Sequence, residues 1–490
     1  MKMNFTKKQV LCLSLLVIGF MQACKKKDHP GPQQSSETNQ WIAEQMRVYY
    51  YWAQEIPGNQ SLNFNQQPNL FFESIRNPED RFSWIDKIEN LKDNLQGVVR
   101  SSGLEFSLYS YGSNRVFGAV IYVIPGSPAA EAGVKRGDLF TRVNGASMTT
   151  DNYNEVLEPY YTGSEFEISM AHLSGNVVQE DDTRIALSVR RLDEPSVYQK
   201  ELITTSSGRK VGYLHYNHFL NGKVQELFDT FTYFKNQGVE DVILDLRYNL
   251  GGGIAASGAL SALITDDYAF DETFVEYRYN AMLNQYFDEL GQNERKKTFL
   301  DLFEGLSSFP TVNTADSIKN LVQNARLDLP RVFVLATENS ASASELVLNN
   351  LAPFIEVIHI GGTTKGKNEG SITIDPTDRD FNPEGLDIQW GLQPIILKLA
   401  NKDGYGDYHD GLDADFEVED MPPFAPLGSR EDPLIAKALG IIDPEMAVEA
   451  RMQTMKRKLF NKLGTPRLPG FQLRPVNLDG TVELPPLRFR

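Results

Sequence analysis

The sequence predicts a multidomain α+β protein in which a small helical domain and a β-rich domain precede an α/β core. Three observations predict this class. Apolar residues recur at helical spacing over residues 39–54. Short alternating segments separated by Gly and Pro turns begin near Gly103. Mostly apolar runs then alternate with helical stretches over residues 205–425, a pattern typical of a covered parallel sheet.

Composition excludes several classes of function. The formal net charge is −17, so no basic stripe is available to neutralise phosphates, and nucleic acid is not an expected partner. The two cysteines, Cys12 and Cys24, both lie in the first 24 residues. Their position excludes a disulfide framework and a cysteine-based zinc or iron–sulfur site.

The N-terminus predicts a lipoprotein signal peptide over residues 1–23. Lysines precede an apolar run of 12 residues, Val10 to Met21, which is too short for a membrane helix of about 20 residues. Ala23-Cys24 resembles a bacterial lipoprotein cleavage box, so we expect lipid on Cys24 and a polar tether over residues 24–38. An ordinary signal peptide with an incidental cysteine is the alternative. The expected location is the envelope of a Gram-negative bacterium, on the outer membrane and facing the periplasm.

Residues 39–97 are predicted to form the helical domain, with helices over residues 39–54 and about 69–76. Their aromatic stripe is expected to belong to the core rather than to a binding surface. Residues 200–427 are predicted to form the α/β core. Residues 428–490 make a C-terminal helical and Pro-rich extension to which the sequence assigns no function.

Residues 98–195 are predicted to form the β-rich domain. The run Gly126 to Asp138, followed by a strand and Asn144-Gly145, resembles PDZ domains. The segment Gly103 to Phe106 stands where that family has its carboxylate-binding loop, and the resemblance implies that a peptide C-terminus binds there and adds as a strand. A β-rich spacer without a ligand is the alternative. The peptide-binding residues implied are Gly103, Leu104 and Phe106.

A candidate nucleophile lies in the small-residue segment Asn339 to Glu345, between a predicted strand and a predicted helix. A serine in the first helical turn lies beside N–H groups that can stabilise an oxyanion. The alternative is structural, because Ser342-Ala-Ser-Glu345 is also a capping box.

A serine nucleophile needs a base. None of the six histidines lies in a recognisable triad context, and a Gly-x-Ser-x-Gly elbow is absent. A lysine can act as this base when burial keeps its amine neutral. Lys367, in a glycine-rich loop directly after a predicted strand, is the candidate, although most lysines in such loops are solvated.

These segments together resemble the C-terminal processing (tail-specific) proteases, a Ser–Lys family. The resemblance rests on Ser340-Ala-Ser-Ala-Ser-Glu345, on Gly366-Lys367 placed 25 residues after Ser342 (367 − 342 = 25), and on the glycine-rich segment Leu244 to Gly253. It implies Ser342 as nucleophile, Lys367 as base and a core of the ClpP/crotonase-like type. The implied oxyanion-hole donors are Ala343 and either Gly251 or Gly252. The segments near Trp41 and over residues 80–84 resemble the N-terminal domain of lipoprotein members from Bacteroidetes.

The chain also departs from this family. Several members have a polar residue, often Gln, four positions after the lysine, where this chain has Ser371 with Glu369 nearby. Others have an acidic residue where this chain has Pro353. The group that supports the lysine is therefore unassigned. Lys365 is unusual, since a second ammonium facing the site would lower the pKa of Lys367.

The function expected is that of a serine endopeptidase that cleaves polypeptides through an acyl-enzyme and recognises substrate C-termini with its PDZ-like domain. No metal or organic cofactor is needed for this chemistry. The expected partners are polypeptide substrates, and the membrane through the lipid anchor. Two alternatives stay open: a catalytically silent peptide-binding lipoprotein scaffold, and a serine hydrolase acting on a non-protein or cell-wall substrate.

Overall fold

The computed structural model describes residues 32–95, 98–175, 177–265, 268–291, 295–306, 315–446 and 460–467. The predicted signal peptide, Cys24 and most of the predicted tether lie outside the described residues. Over the ranges that are described, none of the helices has the length and apolarity needed to cross a bilayer.

The N-terminal region is helical, as predicted, and it packs directly on the α/β core. Trp41, Tyr49 and Phe71 are buried in the same hydrophobic cluster as the core helices, and the Trp41 indole Nε1 donates to Phe381 O at 2.9 Å. Its elements are α1 (Pro32–Tyr49), α2 (Pro68–Ile75), β1 (Trp84–Lys87) and α3 (Ile88–Leu95).

The β-rich region has its own hydrophobic cluster, in which Phe106 contacts Phe140 and Tyr160 edge-on, with ring centroids 5.0 Å apart in both pairs. Gly118 lets the Phe140 ring pack closely, because a Cβ there would lie 2.2 Å from that ring. The elements are β2 (Val98–Ser101), β3 (Leu104–Tyr111), β4 (Arg115–Val123), α4 (Pro128–Glu131), β5 (Leu139–Val143), β6 (Ala146–Ser147), α5 (Tyr153–Val156), α6 (Glu158–Tyr161), β7 (Phe166–Ser174), β8 (Val177–Leu187) and β9 (Arg190–Asp193).

The core is built on a six-stranded sheet in the order β10-β11-β12-β15-β16-β20, parallel except for β10. The elements are β10 (Val197–Thr204), β11 (Lys210–Tyr216), α7 (Val224–Gln237), β12 (Asp241–Asp245), α8 (Ile254–Ile264), β13 (Thr273–Tyr279), α9 (Ala281–Leu290), β14 (Lys296–Thr298), α10 (Phe299–Glu304), α11 (Ala315–Ala325), β15 (Arg331–Ala336), α12 (Ala343–Leu351), β16 (Glu356–Gly361), β17 (Glu369–Ser371), β18 (Trp390–Gln393), β19 (Ile395–Ala400), β20 (Phe416–Glu417) and α13 (Pro433–Ile442).

Helices cover this sheet on both faces. Every residue of β12 and α8 is buried, which explains why both read as apolar runs. A second sheet, in the order β14-β13-β19-β17, is antiparallel. The predicted fold class is confirmed: a helical N-terminal region, a β-rich domain and an α/β core.

The C-terminal extension contains a strand that the sequence did not indicate. This strand, β21 (Asn461–Gly464), pairs antiparallel with β3. It completes the sheet of the β-rich region in the order β21-β3-β4-β5-β7-β8, with β6 paired to β5. The extension therefore returns to the β-rich region.

Candidate active site

Ser342 lies at the turn between β15 and α12, in an unusual backbone conformation. Its φ is 59° and its ψ is −114°, outside the regions that residues with a Cβ normally occupy. Such a conformation costs about 1–3 kcal/mol and is found mainly at functional sites. The side chain is buried, and among the described residues its Oγ has no hydrogen-bond partner. Ser342 and Glu345 have the arrangement of a capping box, with Ser342 N donating to the Glu345 carboxylate, but Ser342 Oγ makes no hydrogen bond of normal geometry to the helix.

The neighbouring serines differ from Ser342 in this respect. Ser340 Oγ donates to Leu246 O at 2.8 Å and accepts from Thr337 N at 2.9 Å. Ser344 Oγ donates to Asn249 O at 2.9 Å. Both hydroxyls thus fasten the turn to the end of β12. Of the three serines, Ser342 alone has an unbonded hydroxyl.

Lys367 is also buried, with 1% of its surface exposed. Burial lowers its pKa to about 8, although the carboxylates of Glu369, Asp80 and Glu345 favour the charged form. Lys365 is exposed, and it is not among the groups that shift the pKa of Lys367, for which burial is the main cause.

Glu345 joins the serine turn to the lysine loop. Its carboxylate accepts hydrogen bonds from Ser342 N (2.8 Å), Lys367 N (2.8 Å), Gly366 N (2.6 Å) and Thr364 Oγ1 (2.6 Å). Burial raises its pKa against the effect of these four donors. The sequence identified only the bond to Ser342, as half of a capping box, because the other donors lie about 20 residues away.

The lysine loop also contacts the N-terminal region. Arg81 Nη2 donates to Gly366 O at 2.5 Å and to His409 O at 2.9 Å. The Phe82 ring centroid lies 5.2 Å from Lys367 Nζ. Asp80 fixes this segment by accepting from Tyr50 Oη at 2.8 Å and from Phe82 N at 2.9 Å. The segment between α2 and β1 of the N-terminal region therefore supplies one wall of the lysine environment.

Two backbone N–H groups near Ser342 are available to an oxyanion. Gly251 N is not one of them, because it donates to Asn249 Oδ1 at 2.7 Å. Within the described ranges, no acceptor is bonded to Gly252 N or to Ala343 N. Gly251 instead allows close approach, since a Cβ on it would lie 2.7 Å from Ser342 Cβ. Between the two glycines the geometry favours Gly252 as the donor.

Glu369 lies near the lysine, and Ser371 bonds to a glutamine from another strand. Burial raises the pKa of Glu369 to about 7, while Lys367 opposes that shift. Ser371 Oγ accepts from Gln393 Nε2 at 3.1 Å. Gln393 comes from β18, so sequence spacing gave no signal for it. Within the described ranges, no cluster of three or more His, Cys, Asp or Glu side chains is arranged to hold a metal ion.

A cleft of about 910 Å³ opens beside these residues. Phe82, Leu250 and Lys365 line it on the side of the candidate site, and Tyr161 belongs to the β-rich region. Thr465 and Arg467 of the C-terminal extension line it as well. All four parts of the chain thus meet at this cleft.

The predicted peptide-binding loop lies apart from the residues above, in the hydrophobic cluster of the β-rich region. Gly103 N donates to Ser101 Oγ at 2.9 Å and Leu104 N to Ser102 Oγ at 3.4 Å. The loop N–H groups of Gly103 and Leu104 are therefore engaged in this structure. Phe106 is fully buried.

Comparison with known families gives three matches. A peptidase S41 N-terminal domain model matches residues 37–84, a PDZ domain model residues 120–158, and a peptidase family S41 model residues 210–418. The last of these spans contains Ser342, Glu345 and Lys367. The segment Asp80 to Phe82, which contacts the lysine loop, lies in the first span.

Individual relatives are distant. A "Probable CtpA-like serine protease" of Staphylococcus aureus N315 is 26% identical over 302 residues, which are 62% of this chain and 50% of that protein. The "Carboxy-terminal processing protease CtpA" of Bacillus subtilis 168 is 26% identical over 312 residues, which are 63% and 54% of the two chains. The chain thus spans about half the length of the curated relatives it matches. A crystal structure of a "Putative S41 protease" from Bacteroides fragilis NCTC 9343 has a TM-score of 0.64 at 24% identity, covering 86% of this chain and 100% of that one.

Proposed function

Because this chain belongs to peptidase family S41, we propose that it is a serine endopeptidase with Ser342 as nucleophile and Lys367 as general base. One observation carries the proposal. Ser342, whose buried hydroxyl has no hydrogen-bond partner among the described residues, and Lys367, a buried lysine with a pKa of about 8, both donate a backbone N–H to the carboxylate of Glu345. A nucleophile and a base tied together in this way suit acyl transfer.

In the proposed mechanism, neutral Lys367 takes the proton of Ser342 as Oγ attacks the peptide carbonyl carbon. The N–H groups of Gly252 and Ala343 stabilise the oxyanion, helped by the positive end of the α12 dipole. Lys367 then returns the proton to the leaving amine, and water hydrolyses the acyl-enzyme. Ser342 Oγ is unbonded here, so proton transfer needs a closer approach of Nζ or a bridging water, as is common before substrate binds.

The pKa of Lys367 decides whether this base works near neutral pH. A lysine with the reference pKa of about 10.4 is neutral in only about one molecule in two thousand at pH 7. With a pKa of about 8, roughly one in ten is neutral at pH 7. Activity should therefore rise with pH along a limb centred near that pKa.

Phe82→Ala is expected to move this limb to higher pH by about one unit, because water then reaches the amine and desolvation weakens. Loss of the ring also removes a cation–π contact at 5.2 Å from the ring centroid, which would lower the pKa. The water that replaces the ring solvates the ammonium better than a ring face does, so the net shift is expected to be upward. The measurement is kcat/KM against pH. Phe82→Leu keeps the site apolar and serves as the control. An unshifted limb in Phe82→Ala would show that Phe82 does not set the pKa.

Two alternatives are tested with substrates. A silent peptide-binding scaffold would leave casein intact at every pH. A hydrolase of another substrate class would cleave esters or cell-wall peptides faster than casein. The backbone and the hydroxyl of Ser342 both favour the peptidase. A scaffold has no need for a serine that is held at positive φ with its hydroxyl unbonded.

The PDZ match supports a role of the β-rich region in holding polypeptide substrates. The narrower expectation, capture of a substrate C-terminus by the loop from Gly103 to Phe106, stays a prediction. The N–H groups of Gly103 and Leu104 already donate to the hydroxyls of Ser101 and Ser102. These two hydrogen bonds would have to break before a peptide carboxylate could bind there.

We propose in addition that the protein is anchored through lipid on Cys24, on the outer membrane and facing the periplasm. Cys24→Ser is expected to lose the lipid and to leave the membrane fraction or stay unprocessed. Mass spectrometry of the mature protein measures this directly. An unmodified Cys24 in the wild type would contradict the proposal, whatever the enzymatic activity.

A further inference from the structure

Three carboxylates act on Lys367, and hydrogen bonds already engage two of them. Glu369, Asp80 and Glu345 all favour the charged form of this lysine. Asp80 accepts from the Tyr50 hydroxyl and from two backbone N–H groups. Glu345 accepts four hydrogen bonds, and its donors are three backbone N–H groups and a threonine hydroxyl. Both carboxylates are therefore occupied by groups that hold the fold together.

Glu369 differs from the other two carboxylates. Only 3% of its surface is exposed, and its Oε2 has no hydrogen-bond partner among the described residues. Buried polar atoms without a partner are rare in native proteins. A buried carboxylate is also costly in its ionised form unless a positive charge comes close to it. A cation is therefore expected to approach Oε2 at some stage of the reaction.

Lys367 and Glu369 are each other's principal charge. Next to burial, Glu369 has the largest effect on the pKa of Lys367, and Lys367 has the largest effect on the pKa of Glu369. The amine is not yet bonded to Oε2 in this structure. It faces the Phe82 ring instead, with Nζ 5.2 Å from the ring centroid. A change of side-chain rotamer would bring the amine from the ring towards the carboxylate.

The other charged and titratable groups around Glu369 have partners of their own. Lys398 stands opposite Glu369 on β19, but its Nζ lies over two aromatic rings. Arg81 donates to two backbone carbonyls. Asp80 opposes ionisation of Glu369, and burial and nearby carboxylates hold the pKa of Tyr408 well above its usual range, so that this phenol stays neutral. Lys367 is the cation best placed to meet Glu369.

We propose that Glu369 is a positioning residue for Lys367, whose carboxylate stabilises the ammonium that forms when the amine takes the proton of Ser342. The proton moves from Ser342 Oγ to Lys367 Nζ and later from Nζ to the leaving amine. Glu369 itself neither gains nor loses a proton in these steps. The inference rests on the proposed function, since it concerns the base of the same reaction.

The order in which the two groups ionise suits this role. Burial raises the pKa of Glu369 to about 7 and lowers that of Lys367 to about 8. At pH 8, roughly nine in ten of the carboxyl groups are then ionised, while about half of the amines are neutral. Glu369 is therefore already a carboxylate at the pH at which Lys367 becomes a base.

The first test is Glu369→Gln, which keeps the size of the side chain and removes its charge. The pKa of Lys367 should fall by about one unit, because Glu369 favours the ammonium. The rising limb of kcat/KM for casein against pH should move to lower pH by the same amount. The plateau at high pH should fall at least roughly threefold, since the amine is then a weaker base.

Two variants accompany this test. Glu369→Asp keeps the charge and should restore at least part of both the limb and the plateau. Glu356→Gln removes an exposed glutamate at the start of β16 and should change neither. A merely structural role of Glu369 would lower activity by the same factor at every pH. A limb that stays in place, or that moves to higher pH, in Glu369→Gln would overturn the proposal.

The second test needs no turnover and uses full-length Ser342→Ala protein. Lysine Cε is labelled with carbon-13, and the signal of Lys367 is identified by its loss in Lys367→Arg. Adding Glu369→Gln should lower the pKa read from this signal by about one unit. Identical titrations with and without Glu369 would contradict the proposal.

The reciprocal measurement decides the matter if Glu369→Gln does not fold. With glutamate Cδ labelled, Lys367→Met should raise the pKa of Glu369 above about 7, because Lys367 opposes the effect of burial on this group and the interaction of two titrating sites is mutual. The signal is identified by its loss in Glu369→Asp. An unchanged pKa of Glu369 in Lys367→Met would show that the two groups do not interact.

These arms separate the two proposals. If the wild type cleaves casein and Glu369→Gln has the same pH profile, the peptidase assignment stands and the role of Glu369 is refuted. If the wild type does not cleave casein, the peptidase assignment is contradicted, and the two titrations still decide whether Glu369 acts on Lys367.

Discussion

Ser342→Ala and Lys367→Ala are each expected to lower kcat/KM for casein by roughly four orders of magnitude or more, because residues that act as one catalytic unit fail together. Both variants should stay folded. Ser342 Oγ makes no hydrogen bond among the described residues, so its removal breaks none. Lys367→Ala removes a buried amine. Because burial already disfavours the charged form of this amine, its loss is not expected to unfold the protein.

Lys367→Arg is expected to be as inactive as Lys367→Ala, because a guanidinium stays protonated and cannot take the Ser342 proton. The matched control is close in sequence. Lys365→Ala removes an exposed lysine two residues away and should keep most of the activity. Full activity in Ser342→Ala or Lys367→Ala would refute the dyad.

Arg247→Met is expected to destabilise the protein by about 3–5 kcal/mol, the usual effect of removing one partner from a buried ion cluster. Arg247 is fully buried, and its guanidinium bonds to Asp245 and Asp432 at 2.7 Å each. Burial alone would raise the pKa of Asp245, but Arg247 and His215 hold it well below its usual range. Without the guanidinium both buried carboxylates lose their nearest cation, and for Asp432 the remaining one, Arg136, lies 3.7 Å away.

The measurement for this variant is the midpoint of urea unfolding. Arg191→Met is the control, because Arg191 pairs with Asp93 while 63% of its side chain is exposed, and exposed pairs contribute little. A midpoint in Arg247→Met equal to that of the control would mean that the cluster does not stabilise the fold.

The sequence predicted the parts of this protein that depend on local patterns. Covered strands such as β12 and β15 read as apolar runs because both of their faces are buried. Ser342 and Lys367 were singled out by a motif and a spacing within a single stretch of chain. Helix α12 begins at Ala343, so the small residues before Leu346 belong to its first turn.

The sequence could not predict contacts between distant segments. Phe82 and Lys367 are far apart along the chain, and nothing in either segment indicates that they meet. The choice between Gly251 and Gly252 depends on the side chain of Asn249, which engages one N–H and leaves the other. Strand β21 has neither alternation nor β-branched residues. Its pairing depends on Phe460 and Arg467, which find their partners only in the folded protein.

The contact of Phe82 with Lys367 makes the basicity of the lysine a property of the folded chain. The segment that shields the amine precedes it by about 285 residues, so only tertiary structure brings the two together. In an unfolded chain the ammonium is hydrated and has its ordinary pKa near 10.4. In the proposed mechanism, a chain in which this contact has not formed therefore lacks a working base.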